Sequence, residues 1–133
     1  MAYEPGFGLG PLGRVGVYVA DLARAVAFYG DVLGLACLEV GDGWAVVDCG
    51  DVRLSIEQSP EHSALRPASP LYFKVDDIRG ARRELEARGV TFIDPIHKVA
   101  EFADHDLWVT SFNDPDGHPL ALMAEGPKGF VLG

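Results

Sequence analysis

The sequence predicts an α+β fold of two βαβββ modules within one domain. Three observations carry that expectation. First, Val17-Tyr-Val-Ala-Asp-Leu22 parallels Phe73-Lys-Val-Asp-Asp-Ile78, and Asp77 lies 56 residues after Asp21. Second, each copy runs from a short apolar strand through an Asp into an amphipathic helix closed by a Gly, with further strands after it. Third, the copies end alike, Gly50-Asp-Val-Arg-Leu-Ser-Ile56 against Asp116-Gly-His-Pro-Leu-Ala-Leu122. A repeated supersecondary unit buries its apolar face with its neighbour's help and places a ligand site between or beneath the copies. The modules span about 12–58 and 70–124, joined by a linker at 59–69, with curved mixed sheets around a cleft.

Each element follows from local pattern. Residues 12–20 alternate, with Val15, Val17 and Val19 on one face and Arg14, Gly16 and Tyr18 on the other, as a half-buried strand does. Asp21 is a natural N-cap because its carboxylate accepts from the unpaired amides of a first helical turn. Leu22, Val26, Tyr29 and Leu33 then recur at helical spacing, and Gly34 stops the helix. Turns at Gly41-Asp-Gly43 and Gly50-Asp51 separate strands at about 35–40, 44–49 and 52–58. The polar stretch after Gln58, with Pro60 and Pro67, reads as the linker. In the second copy Asp77 caps a helix over 78–88. Its buried stripe is Ile78, Ala81 and Leu85; Arg79, Arg82, Arg83, Glu84, Glu86 and Arg88 form a solvated face, and Gly89 ends it. Residues 90–93 read as a short strand and 94–106 as the longest irregular segment. Residues 107–112 and 119–124 form the closing hairpin around Asn113-Asp-Pro-Asp-Gly117.

Composition narrows the function. The chain of 133 residues is 48% apolar and carries a net charge of −9. An acidic chain disfavours nucleic acid, whose phosphates need a basic stripe, and an anionic membrane surface; it suits a cationic ligand. No apolar run approaches the roughly 18 residues of a membrane span. Residues 1–10 lack a basic start followed by an apolar run, so no signal peptide is expected. Cys37 and Cys49 read as small buried apolar residues without a disulfide, and the cytoplasm is the expected compartment.

Four motifs carry a resemblance. Val19-Ala-Asp-Leu22 followed by Ala27-Phe-Tyr29 and Leu33-Gly34 resembles the opening of the vicinal oxygen chelate superfamily, the group of glyoxalase I, bleomycin-resistance proteins and extradiol dioxygenases. Val75-Asp-Asp-Ile78 with Leu85-Glu-Ala-Arg-Gly-Val90 is similar to its second module, and 112–122 to its closing hairpin. The resemblance covers about 12–124. It implies a glyoxalase-like fold. For the superfamily's metal enzymes it implies four ligands, on the first and last strands of each module. Those positions hold Arg14, Ser55, Pro70 and Ala121. A divalent ion needs N, O or S donors with electron pairs to give. Arg14 is always protonated, Pro70 and Ala121 offer nothing, and Ser55 is a poor ligand alone. No metal and no cofactor are therefore expected.

By alternation, the cavity face should hold Arg14, Gly16, Tyr18, Arg53, Ser55 and Glu57, and in the second module Pro70, Tyr72, Pro119, Ala121 and Met123. Arg14 and Glu57 are expected to point into one cleft within ion-pair or one-water reach. Trp44, Tyr72, Trp108 and Phe112 are candidate flat walls for an aromatic or cationic ligand. His62 and His118 read as exposed, while His97 and His105 flank the long loop. No Ser-His-Asp or Cys-His arrangement and no phosphate-binding Gly motif is present. The first reading is a metal-independent homodimer that binds a small organic molecule. A second is a metal-dependent lyase or dioxygenase with a displaced site around Glu57 and His97 or His105. A third is a regulatory or structural module with an empty cleft.

Overall fold

In the computed structural model, residues 6, 8–64 and 69–129 are described. Residues 65–68 of the expected linker and most of the N-terminal stretch lie outside them. The chain divides into two compact units, Met1–Ser63 and Ala64–Gly133. Each holds a four-stranded mixed sheet covered by one main helix, as the repeat predicts.

In the first unit, β1 (Arg14–Val19) leads into α1 (Leu22–Val26), followed by β2 (Cys37–Val40), β3 (Trp44–Asp48), β4 (Arg53–Gln58) and the short α2 (Pro60–Ser63). The sheet order is β1-β4-β3-β2, with β1 parallel to β4 and the other pairs antiparallel. Asp21 caps α1, its Oδ1 accepting from Arg24 N–H at 3.2 Å. The helix does not stay α-helical to its end. Over Ala27–Val32 it widens to i→i+5 bonding, and Leu33 N–H donates to Phe28 C=O at 2.9 Å. Gly34 closes it at φ +79°, a backbone region that costs a side-chain-bearing residue strain. Ala25 and Tyr29 press on Val19, Ala45, Val47, Leu54 and Ile56 as this unit's core.

The second unit repeats the order: β5 (Leu71–Lys74), α3 (Ile78–Ala87), β6 (His97–Glu101), β7 (Asp106–Asn113) and β8 (Pro119–Gly126), arranged β5-β8-β7-β6. β7 and β8 pair antiparallel along their whole length, the closing hairpin the sequence predicts. The second strand of this unit differs from expectation. Residues 90–93 contribute only an isolated bridge, Phe92 to Phe112, and the strand proper is His97–Glu101, inside the segment read as irregular. Its alternation is hidden by a bulge between Lys98 and Ala100 and by the charges that protect an edge strand.

Arg82 also departs from its assignment to the solvated face. Its guanidinium lies 4.7 Å from the Phe92 ring centroid and donates to Asp94 C=O and Thr110 Oγ1 at 2.6 and 2.7 Å. Asp94 Oδ1 accepts from Ser111 N–H at 2.7 Å. Arg82 thereby pins the chain leaving α3 to the middle of β7. A helix face pattern cannot reveal this, because an Arg can bury its stem and still find partners for its head.

The two copies differ at one cap. In the first, Gln58 Oε1 on β4 accepts from Leu22 N–H, the first amide of α1, at 2.8 Å. The register makes Ala124 the equivalent in the second copy, since Glu57 lies beside Tyr18 and Met123 beside Lys74. Removing this cap by Gln58→Ala is expected to cost about 1 kcal/mol in urea unfolding. An unchanged midpoint would show that the bond does not hold the helix start.

Candidate functional site

The open face of the first sheet is the better-formed candidate site. The sheet registers place side chains in three cross-strand rows. Tyr18 on β1 lies beside Glu57 on β4, which lies beside Trp44 on β3. The next row is Gly16, Ser55 and Val46, with Glu39 beside Val46 on β2, and the third is Arg14, Arg53 and Asp48. Rows two residues apart along a strand are about 6.6 Å apart, so the outer rows are separated by about 13 Å. A cavity of about 510 Å³ opens over this face, lined among others by Arg14, Tyr18, Glu39, Trp44, Ser55 and Glu57.

The walls are set from behind. Tyr18 stacks on His62 with ring centroids 4.5 Å apart and planes 25° apart, and His62 Nδ1 lies 2.7 Å from Ser59 Oγ. Tyr18 keeps 40% of its surface exposed and Trp44 39%, so both rings stay accessible. Trp44 lies against Gly41, where a Cβ would meet the indole atoms, so any larger residue there would displace the ring. Gly41 N–H donates to Trp44 C=O at 2.8 Å and closes the same turn. The floor is small: Gly16 leaves open space, and the Ser55 hydroxyl is buried with no hydrogen-bond partner among the described residues.

Arg14 and Glu57 both line this cavity but do not pair. Arg14 sits beside Arg53, four positions along β4 from Glu57, and makes no ion pair with it. Arg53 is itself paired with Asp48 at 3.6 Å.

Residues 12–122 match the model of the Glyoxalase/Bleomycin resistance protein/Dioxygenase superfamily. The chain belongs to this superfamily. Solved structures agree on the fold. An integron cassette protein from the mobile metagenome of V. cholerae superposes with TM-score 0.72 at 25% identity, over 89% of this chain and 97% of that one. A glyoxalase/bleomycin resistance protein/dioxygenase from Nocardioides gives 0.71 at 20% identity, over 97% and 91%. A superfamily member from Sphaerobacter thermophilus gives 0.70 at 22%, over 88% and 98%. No protein of curated function matches the sequence.

At the superfamily's expected ligand positions, Ser55 lies on the open face of the first sheet beside Gly16, two residues from Arg14. Ala121 lies beside Tyr72 on the second sheet, and Pro70 precedes β5. This donor set does not fit a divalent cation, because it offers one neutral hydroxyl. Among the described residues, no three His, Cys, Asp or Glu side chains gather as a metal-holding group.

Several sequence-assigned residues stand elsewhere. Phe112 is a core residue at 0% exposure, packed on Phe92 with ring centroids 5.1 Å apart. Trp108 shares its face with Thr110 and Phe112, on the helix side of the second sheet. It lines a different, smaller cavity of about 360 Å³ with Asp76, Asp77 and Ile78 at the start of α3. Aromatic character alone suggests walls, and strand parity turns both rings to the covered side. Tyr72 does lie on the open face of the second sheet, 55% exposed, near a Lys74–Glu125 ion pair of 2.8 Å. That bond and charge hold the Lys74 pKa above its ordinary value and Glu125 below it.

The histidines and cysteines are also redistributed. His118 is buried, with its N–H donating to Asp114 Oδ1 at 2.8 Å. His97 Nδ1 lies 2.8 Å from Pro95 C=O, and His105 Nδ1 lies 2.7 Å from Asp104 Oδ1. Cys37 is exposed on an edge strand rather than buried. Burial, then the Asp48 charge, pushes the Cys49 thiol up, which opposes the thiolate a nucleophile needs. Sequence reasoning missed Glu39, whose parity is obscured by a bulge between Cys37 and Glu39, and His62, whose stacking depends on the short α2.

Proposed function

We propose that the open face of the first module binds a small organic cation without a metal ion. The row Tyr18–Glu57–Trp44 carries this reading: one carboxylate stands between two exposed aromatic rings. Adjacent strands are about 4.8 Å apart, so the rings rise on either side of Glu57 with room for a compact cation. Ring faces attract a cation through their quadrupole, and the exposed Glu57 carboxylate adds a charge-charge term. Glu39 adds a second carboxylate to the lining. The net charge of −9 favours approach of a cation at low salt. The superfamily's ligand positions on this face hold Arg14 and Ser55, one fixed cation and one neutral hydroxyl, which do not fit a divalent metal.

The test uses hexyltrimethylammonium titrated into the purified protein by calorimetry. Glu57→Gln is expected to weaken binding about tenfold, or about 1.4 kcal/mol. EDTA is expected to leave the affinity unchanged. Equal affinity of wild type and Glu57→Gln, or loss of binding after chelation, would contradict the reading.

We also propose a cytoplasmic homodimer. Support comes from the edge strands: β2 exposes Leu38 at 47% and Val40 at 58%, and β6 exposes Val99 at 48%. Exposed strand edges favour pairing, and a two-fold closes such an interface. Light scattering at micromolar concentration is expected to give twice the chain mass; a monomer mass would reject the dimer.

A further inference from the structure

The charge layout of the first module's open face carries the reading one step further, to the class of ligand. We infer that the ligand is amphoteric: a cationic head held at the Tyr18–Glu57–Trp44 row and an anionic group, such as a carboxylate, held by Arg14. This rests on the cation reading above and adds a second point of attachment to it.

Three observations converge. First, Arg14 lines the cavity that also holds Glu57, Tyr18 and Trp44, so a single small molecule can touch both ends of the face. Second, the charges of the Arg14 row do not cancel. Arg53 is matched by its register neighbour Asp48 at 3.6 Å, whereas Arg14 makes no ion pair with any described residue. A guanidinium in that position has five donors, and among the described residues no carboxylate answers them, which leaves them to solvent or a ligand. Third, the row between the two ends is uncharged over its first three strands, and Glu39 closes it on the edge strand β2. Gly16 leaves open space above the strand, Val46 is apolar, and Ser55 brings one uncharged hydroxyl.

The spacing limits the ligand. The outer rows are about 13 Å apart at the backbone, and the Arg14 side chain spans part of that distance, leaving roughly 6–10 Å between the ligand's two charges. A cation alone would leave Arg14 unused, and an anion alone would meet Glu57 and Glu39. An amphoteric ligand satisfies both ends, and the reversed orientation is penalised at both, which fixes the direction of binding.

The experiment compares two probes of matched length: hexyltrimethylammonium, and the ω-trimethylammonium carboxylate of a six-carbon chain. Both are titrated by calorimetry at low ionic strength into wild type, Arg14→Gln, Arg14→Lys and Glu57→Gln. In wild type the carboxylate-bearing probe is expected to bind about fivefold tighter. Arg14→Gln should erase that preference without weakening the simple cation, and Arg14→Lys should restore part of it. Glu57→Gln should weaken both probes. Equal affinity of the two probes in wild type, or a preference that survives Arg14→Gln, would overturn the amphoteric assignment while leaving the cation site standing. Failure of both probes to bind wild type, or their indifference to Glu57→Gln, would overturn the cation site and this assignment with it.

Discussion

The parallel pairing of β1 with β4 is the constraint on which the candidate site depends. It sets Tyr18 beside Glu57 and Arg14 beside Arg53, and β3 then adds Trp44 and Asp48 to the same rows. Side chains alternate across a sheet, so a slip of one residue would turn Glu57 toward α1 and Ile56 toward solvent. The covered face prevents it. Val19 and Ile56 are at 0% exposure against Ala25 and Tyr29, and each large apolar side chain that moved into water would lose roughly 1.5–3 kcal/mol. The site is thus positioned by the core on the other side of its own sheet. The Asp21 and Gln58 caps fix where α1 begins above that core.

The second module keeps the same frame and changes its chemistry. Its parallel pair puts Tyr72 beside Ala121 and Lys74 beside Met123, so no carboxylate stands between aromatic rings there. Its polar contacts lie on the helix side and at the sheet end, with the Lys74–Glu125 pair on the open face. Arg82, Asp94 and Thr110 tie the connection after α3 to β7. Asp106, fully buried, accepts from Lys128 Nζ and Gly129 N–H at 3.1 Å each. Burial pushes the Asp106 carboxyl up, but those two bonds and the Lys128 and Lys98 charges outweigh it and hold its pKa below the ordinary value. A depressed carboxylate pKa contributes stability that is present above about pH 4 and lost as pH falls through the folded pKa. The two modules thus share a frame and differ in where their polar contacts lie.

Much of this was legible in the sequence because the repeat, the capping Asp residues and the closing Gly residues are local signals with physical causes. Asp21 and Asp77 cap their helices, and Gly34 and Gly89 end them at positive φ. Tyr18, Glu57 and Arg14 follow from strand parity once those caps are placed. What escaped depends on pairing rather than on pattern. The bulges in β2 and β6 break alternation and hide Glu39 and the true second strand of the second module. Trp108 and Phe112 were assigned by residue type, and only the β7–β8 register shows that they face the helix. Arg14 and Glu57 line one cavity as expected but form no direct ion pair, because a shared face is not a shared row and the register sets the two four positions apart along the strand.

The central claim is that the Tyr18 and Trp44 rings and the Glu57 carboxylate act as one receptor for a cation. Nuclear Overhauser spectroscopy of the protein with bound hexyltrimethylammonium tests it most directly. The expected result is contact from the trimethylammonium protons to the ring protons of both Tyr18 and Trp44, lost together in Glu57→Gln. Contacts to Tyr72 or Trp108 of the second module, with none to Tyr18 and Trp44, would contradict the account.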